Sequence, residues 1–325
     1  MTLLLTDPFT IQRRGLQSWT SYLSNIVGRV FGLPNLPQKQ TTEDTVRSFL
    51  YRFDTTDLPS VDDAALKYLC IKEAERRGYA VDALMPYLTL GLNITAAAYH
   101  HLSNVNVKLY IVFFTAFVTY FDDAYPDDPD ALAGVPNFTK HFASSEKQPT
   151  KMLDDYANVL AETSQLFGEV AADFIVQAGL RHITALILEI RSKSEPASNL
   201  FSSKCGIAEA YAMFMFSEEL PYSLYVQALP VLREVINFTN DITSFYKEEC
   251  ENETHNLISL LSEARGEPKS KVLHYLAESC VEAHERTLLI LSPHQEVRSS
   301  YENFVKGYLA FYLGAKRYRL SELNL

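Results

Sequence analysis

Apolar residues return along most of the chain at three- and four-residue steps, while runs that alternate apolar with polar are few. The first spacing brings side chains back to one face of an α-helix; the second is the mark of a half-buried strand. The pattern predicts helices over 16–31, 43–52, 62–77, 81–121, 151–192, 206–219, 223–249, 269–291 and 296–322, with Pro86 breaking the fourth. Gly, Pro, Ser and Asn collect in the intervening stretches, at 32–37, 136–149 and 192–203. No internal repeat is found, and no break is strong enough to separate two cores. The expected fold class is therefore all-α, with residues 41–325 as one helical domain. Residues 1–40 read as an N-terminal arm, docked or in part disordered. Within it Leu16, Trp19, Leu23, Ile26, Val27 and Val30 share a face. Packing onto its own domain or onto a homodimer partner is favoured over lying in a membrane interface.

Composition narrows the function. The 325 residues are 47% hydrophobic and 21% charged, enough apolar matter for a sizeable core. The net charge of −11, without any basic run, argues against nucleic acid as a partner. Cys70, Cys205, Cys250 and Cys280 are far apart and read as reduced thiols of a cytoplasmic protein. Met1 to Leu5 lacks the basic start of a secretory signal. No uninterrupted apolar stretch reaches the ~20 residues of a transmembrane segment. The 19 Phe and 19 Tyr suit an aromatic-lined cavity as well as an ordinary core.

The chemistry sits in three places. Asn240, Ser244 and Glu248 follow one another at four-residue steps, which stacks an amide, a hydroxyl and a carboxylate on one helical stripe. Such oxygens suit a hard divalent cation. Asp122 and Asp123 end the apolar run Leu109–Phe121, where the helix dipole disfavours anions and a bound cation would remove the conflict. Pro126 biases Tyr125 away from helix, so the helix is expected to stop near Ala124, leaving Asp127, Asp128 and Asp130 on a loop. Two oxygen-rich stations on separate helices suggest magnesium ions between them and a diphosphate substrate. Lys247 could act on it as a point charge. At the C-terminus, Arg317 and Tyr318 either complement a helix dipole or hydrogen-bond a diphosphate. Tyr308 and Phe311 fall near the face of Tyr318, and with Phe114 they are core residues or rings lining a pocket that stabilises carbocations. The eight His are scattered, and neither a nucleophile elbow nor a glycine-rich phosphate loop is present, so nucleophilic catalysis fits less well.

Together these residues resemble the class I terpene synthases, and among them the fungal trichodiene-synthase branch. The resemblance runs from about Thr45 to the end. It rests on the aspartate motif Asp122 to Asp128, on Asn240, Ser244 and Glu248 with Lys247 beside them, and on Arg317 and Tyr318 in the basic C-terminal motif. It implies a helical bundle around a central apolar cavity and three Mg2+ ions. Asp122, with Asp123 and Asp127 as further ligands, would hold two ions, and Asn240, Ser244 and Glu248 the third. It also implies an isoprenoid diphosphate substrate, taken as farnesyl diphosphate, ionised and cyclised to a sesquiterpene. The chain departs from the family twice. One extra residue precedes the third acid, Asp127. If Gly206 is the family's helix-break glycine, Ser202 stands where a diphosphate-sensing arginine is expected; either Lys204, Arg181 or Arg191 substitutes, or substrate sensing differs here. On that departure a direct, humulene-type closure is favoured over a bisabolyl, trichodiene-type one. A prenyl-chain elongase and a non-catalytic isoprenoid-binding protein are the alternatives.

Overall fold

In the computed structural model, residues 42–127, 133–191, 206–254 and 256–325 are described, and all their regular structure is helical. The α-helices are α1 (Thr42–Tyr51), α2 (Ala64–Arg76), α3 (Val81–Ala98), α4 (Val105–Asp127), α5 (Phe138–Ala143), α6 (Lys151–Glu162), α7 (Glu169–Arg191), α8 (Ile207–Met213), α9 (Leu229–Cys250), α10 (Leu257–Arg265), α11 (Lys269–Leu291) and α12 (Gln295–Gly314). Side-chain caps start several of them. Asp63 accepts from Leu66 N, Thr150 from Leu153 N and Asn256 from Ser259 N.

Seven helices close a ring. α3 packs on α4, α4 on α7, α7 on α8, α8 on α9, α9 on α11, α11 on α12, and α12 back on α3. α4 carries the most continuous apolar surface; Tyr110 to Phe114, Ala116 and Phe117 are fully or almost fully buried. Two glycines permit the closest approaches. A Cβ on Gly91 would stand 2.5 Å from the Val112 carbonyl oxygen, and one on Gly307 would overlap that of Ala97 outright. α3 is thereby clamped between α4 and α12, the helices that lead to Asp122 and to the C-terminal Arg317-Tyr318 pair.

Several predicted boundaries are corrected. α3 runs through Pro86, because Pro86 and Asp82 are both exposed and the Asp82 carbonyl that loses its donor opens to water. The long fourth helix breaks instead at 99–104, where the Asn104 side chain accepts from Asn106 N and starts α4. α4 does not stop near Ala124 but continues to Asp127, with Tyr125 buried and holding the last turn to the bundle. The predicted helix 151–192 splits around Phe167-Gly168, and α8 is shorter than expected. Two 3-10 turns precede α9. α12 ends at Gly314, so Arg317 and Tyr318 lie on a separate 3-10 turn, Lys316–Tyr318. The short helices α5 and α10 were not foreseen. By length and composition Val105–Tyr125 and Glu169–Leu188 are apolar enough to cross a membrane, but charged residues interrupt both, and 67% and 50% of these windows are buried in the bundle, as in core helices. Residues 1–40, with the helix expected over 16–31, lie outside the described residues.

Candidate active site

The oxygen stripe of α9 forms as the spacing predicts. Ser244 is buried, Glu248 is half-buried and Asn240 is open. Burial pushes the Glu248 carboxyl up to about 6, with the nearby Ser244 hydroxyl partly offsetting it. Yet Ser244 Oγ and Glu248 Oε2 are both buried without a hydrogen-bond partner of proper geometry. Buried polar atoms are seldom left so, and an ion is one of the few things that satisfies two together. Asn240 is held by its amide nitrogen, which donates to the Tyr312 hydroxyl at 2.9 Å.

At the end of α4, Asp122 keeps 46% of its side-chain surface accessible while protein surrounds it closely enough to penalise its charge. Burial, and then the neighbouring Asp123, raise its carboxyl to about 7; Arg317 pulls it back. His182 Nε2 lies 3.4 Å from Asp122 Oδ1. Arg317 Nη2 donates to Asp123 Oδ1 at 3.5 Å.

Tyr318 links the two stations. Burial pushes its hydroxyl up to about 12, Arg317 lowers it, and Glu248 and Asp123 both raise it. The phenol therefore feels α9's carboxylate and α4's at once. Tyr211 on α8 feels Asp122 and Tyr318 in the same way, and its hydroxyl donates to Thr115 Oγ1 on α4 at 3.2 Å. The end of α4, the α9 stripe and the C-terminal turn thus face one another.

The other expected residues are placed as follows. Lys247 Nζ is 3.3 Å from Glu251 and 3.4 Å from Glu253. Phe114 is fully buried against Tyr110, Tyr156, Tyr211 and Phe214. Phe311 packs edge-on to Tyr318, and Tyr308 stacks on Phe304. Asp127 ends α4 but its side chain lies outside the described residues, as do Asp128, Asp130, Ser202 and Lys204 and the Arg191 side chain. Among the described residues no three His, Cys, Asp or Glu side chains cluster as a metal site. The oxygen stripe of α9 includes only one carboxylate.

The profile of the trichodiene synthase (TRI5) family matches residues 200–324. An alpha-cuprenene synthase of Coprinopsis cinerea is 31% identical over 86% of this chain and 88% of its own. The chain belongs to the trichodiene-synthase family of terpene synthases. As such it is a carbon–oxygen lyase acting on diphosphates. A longiborneol synthase of Gibberella zeae is 28% identical over 68% of this chain and 69% of its own. The fold is shared with a linalool/nerolidol synthase of Streptomyces clavuligerus, solved in complex with 2-fluorogeranyl diphosphate. That structure has a TM-score of 0.61 at 15% identity and covers 80% of this chain and 97% of its own.

Within this terpene synthase, sequence reading underweighted the surroundings of Gly206. That residue has φ +79°, and a Cβ there would stand 3.0 Å from Arg181 Nε. Arg181 is ion-paired to the buried Glu209, whose other oxygen lies 3.0 Å from Arg233 Nη1. The sequence signal was a lone acid in the apolar run Ile207 to Phe214. Sequence reading also missed His182 and Tyr312 as neighbours of the stations.

Proposed function

We propose that this terpene synthase ionises farnesyl diphosphate and cyclises the resulting cation to a sesquiterpene. The observation that carries the reading is the convergence of Asp122, Asp123, Arg317 and Tyr318 on the α9 stripe, with Ser244 Oγ and Glu248 Oε2 left unsatisfied. Hard oxygen donors and carboxyls that resist charging without a cation fit Mg2+. Asp122, with Asp123 and Asp127, would hold two ions, and Asn240, Ser244 and Glu248 a third. When bound, the metal supplies Lewis-acid stabilisation of the leaving diphosphate. Arg317 and Tyr318 offer it hydrogen-bond donors, as Lys247 could on leaving its two glutamates. Phe311 and Tyr308 would supply aromatic surface for the cation in a water-poor interior. Phe114, with no accessible surface among its four ring neighbours, is a core residue and not a lining one.

Arg181 bears on the ring closure. Its guanidinium lies beside Gly206, ion-paired to Glu209, and is with Lys204 and Arg191 one of the candidates to replace the missing arginine. The preference for direct, humulene-type closure rests on the missing arginine; a guanidinium beside Gly206 removes that preference and leaves the bisabolyl route its equal. The test is incubation of the purified chain with farnesyl or geranyl diphosphate and Mg2+, with extraction and gas chromatography. A cyclic C15 hydrocarbon from farnesyl diphosphate is expected. A monoterpene from geranyl diphosphate with nothing from farnesyl diphosphate, or an acyclic C15 product alone, would overturn the sesquiterpene-cyclase reading.

A further inference from the structure

Asn240 can turn either end of its amide toward a metal, but only the oxygen can bind one. Its nitrogen donates to Tyr312 OH at 2.9 Å. Tyr312 OH donates to Tyr308 OH at 2.9 Å, and Tyr308 OH to the Ile236 carbonyl oxygen at 3.4 Å. A carbonyl can only accept, and each phenol has one proton. Donation therefore runs outward from Asn240 to Ile236, and Tyr312 has no second proton with which to bind the amide oxygen. Tyr318 lies near the Tyr312 hydroxyl as an alternative acceptor, which leaves that direction unchanged. Both phenols are buried, and a phenol keeps its one proton at neutral pH.

We propose that the hydrogen-bond chain Asn240–Tyr312–Tyr308–Ile236 fixes the amide orientation of Asn240, making Tyr312 a positioning residue that presents Oδ1 to the metal. The inference rests on Asn240 being a ligand, as proposed above. Loss of Tyr312's hydroxyl frees the amide to turn its nitrogen inward. Loss of Tyr308's hydroxyl keeps the first bond but removes the polarity imposed by Ile236. Aspartate at position 240 would have two equivalent oxygens and need no such guidance.

The experiment measures Mn2+ uptake by electron paramagnetic resonance, in the presence of inorganic diphosphate. It compares wild type, Tyr312→Phe, Tyr308→Phe, Asn240→Asp and the double variant Tyr312→Phe/Asn240→Asp. Removing a partner that orients a ligand typically weakens metal affinity ~10–100-fold. We expect Tyr312→Phe to weaken uptake about tenfold and Tyr308→Phe by less, with circular dichroism unchanged. The Tyr312→Phe effect should vanish in the Asn240→Asp background. Equal uptake by wild type and Tyr312→Phe overturns the orientation inference. So does a Tyr312→Phe effect that persists undiminished in the double variant, which would mean packing alone. Wild type that takes up no Mn2+ overturns the metal reading and this inference with it.

Discussion

Near the end of α4 the acidic station sets two adjacent, partly exposed carboxylates against His182 and Arg317. On α9 the second station lies within a helix that continues to Cys250, with one carboxylate and an amide tied to a buried phenol. The first can adjust, because a partly exposed ion pair such as Arg317–Asp123 is held weakly and exchanges partners at little cost. The second depends on correct side-chain orientation, with Asn240 tied through Tyr312 to Tyr308. Charge is thus concentrated where the contacts can exchange, and geometry where a buried hydrogen-bond chain fixes them. That division suits a site that must gather several cations around a leaving group and then hold one arrangement.

The largest effects should come from breaking either station. Asp122→Ala and Asn240→Ala are each expected to lower turnover ~10²–10³-fold, the usual cost of losing one group that stabilises developing charge. Melting temperature and helicity should barely change, since neither side chain fills the core. Steady-state kinetics beside calorimetry checks this; full turnover in both variants would remove the metal assignment.

Next comes the clamp that sets the distance between the stations. Gly307→Ala places a methyl group against the Ala97 carbonyl, which is backbone and cannot swing aside. Overpacking of this kind typically costs ~1–3 kcal/mol. Thermal unfolding should report that loss, and activity should fall below what the lost stability explains, because α12 leads to Arg317 and Tyr318.

The titration should separate the stations by pH. Burial raises Asp122 from 3.8 to about 7 and Glu248 from 4.5 to about 6, so the metal-free fold prefers both neutral. The stability they contribute is present below their unfolded values and is lost as pH rises through 6 and 7. A metal requires the charged forms and opposes this trend. The gain in melting temperature from Mg2+ plus inorganic diphosphate should therefore widen as pH climbs from about 5.5 to 7.5. Asp122→Asn should abolish the upper part of that rise. A gain independent of pH would mean that these carboxyls do not face the ion.

Much of this was legible in the sequence because helical spacing is a local property. Four-residue steps put Asn240, Ser244 and Glu248 on one stripe whatever surrounds them, and the apolar run before Asp122 foretold a buried helix ending in charge. Helix breaks were harder to read. Pro86 is a strong local signal that an exposed carbonyl made harmless, whereas the actual break at 99–104 needed Asn104 as a cap. The contacts among Tyr308, Tyr312 and Asn240, and of Arg181 with Glu209 and Gly206, join helices far apart in sequence. No window of a single chain contains them.

The smallest predicted effect concerns Lys247, which stands beside the α9 stripe but is held between Glu251 and Glu253. Both glutamates are about half exposed, so the pairs contribute little to stability, ~0.2–1 kcal/mol each at most. Replacing both with Gln should leave the melting temperature almost unchanged. It also removes two negative charges from the approach to a dianionic or trianionic substrate and frees the ammonium to meet it. The half-saturating diphosphate concentration should fall about two- to fivefold at low salt, with the difference shrinking as ionic strength shortens the range of the field. The same pair of substitutions in a Lys247→Ala background separates the causes. A benefit that survives there belongs to the removed charges alone; one that disappears belongs to Lys247 and makes it part of the second station.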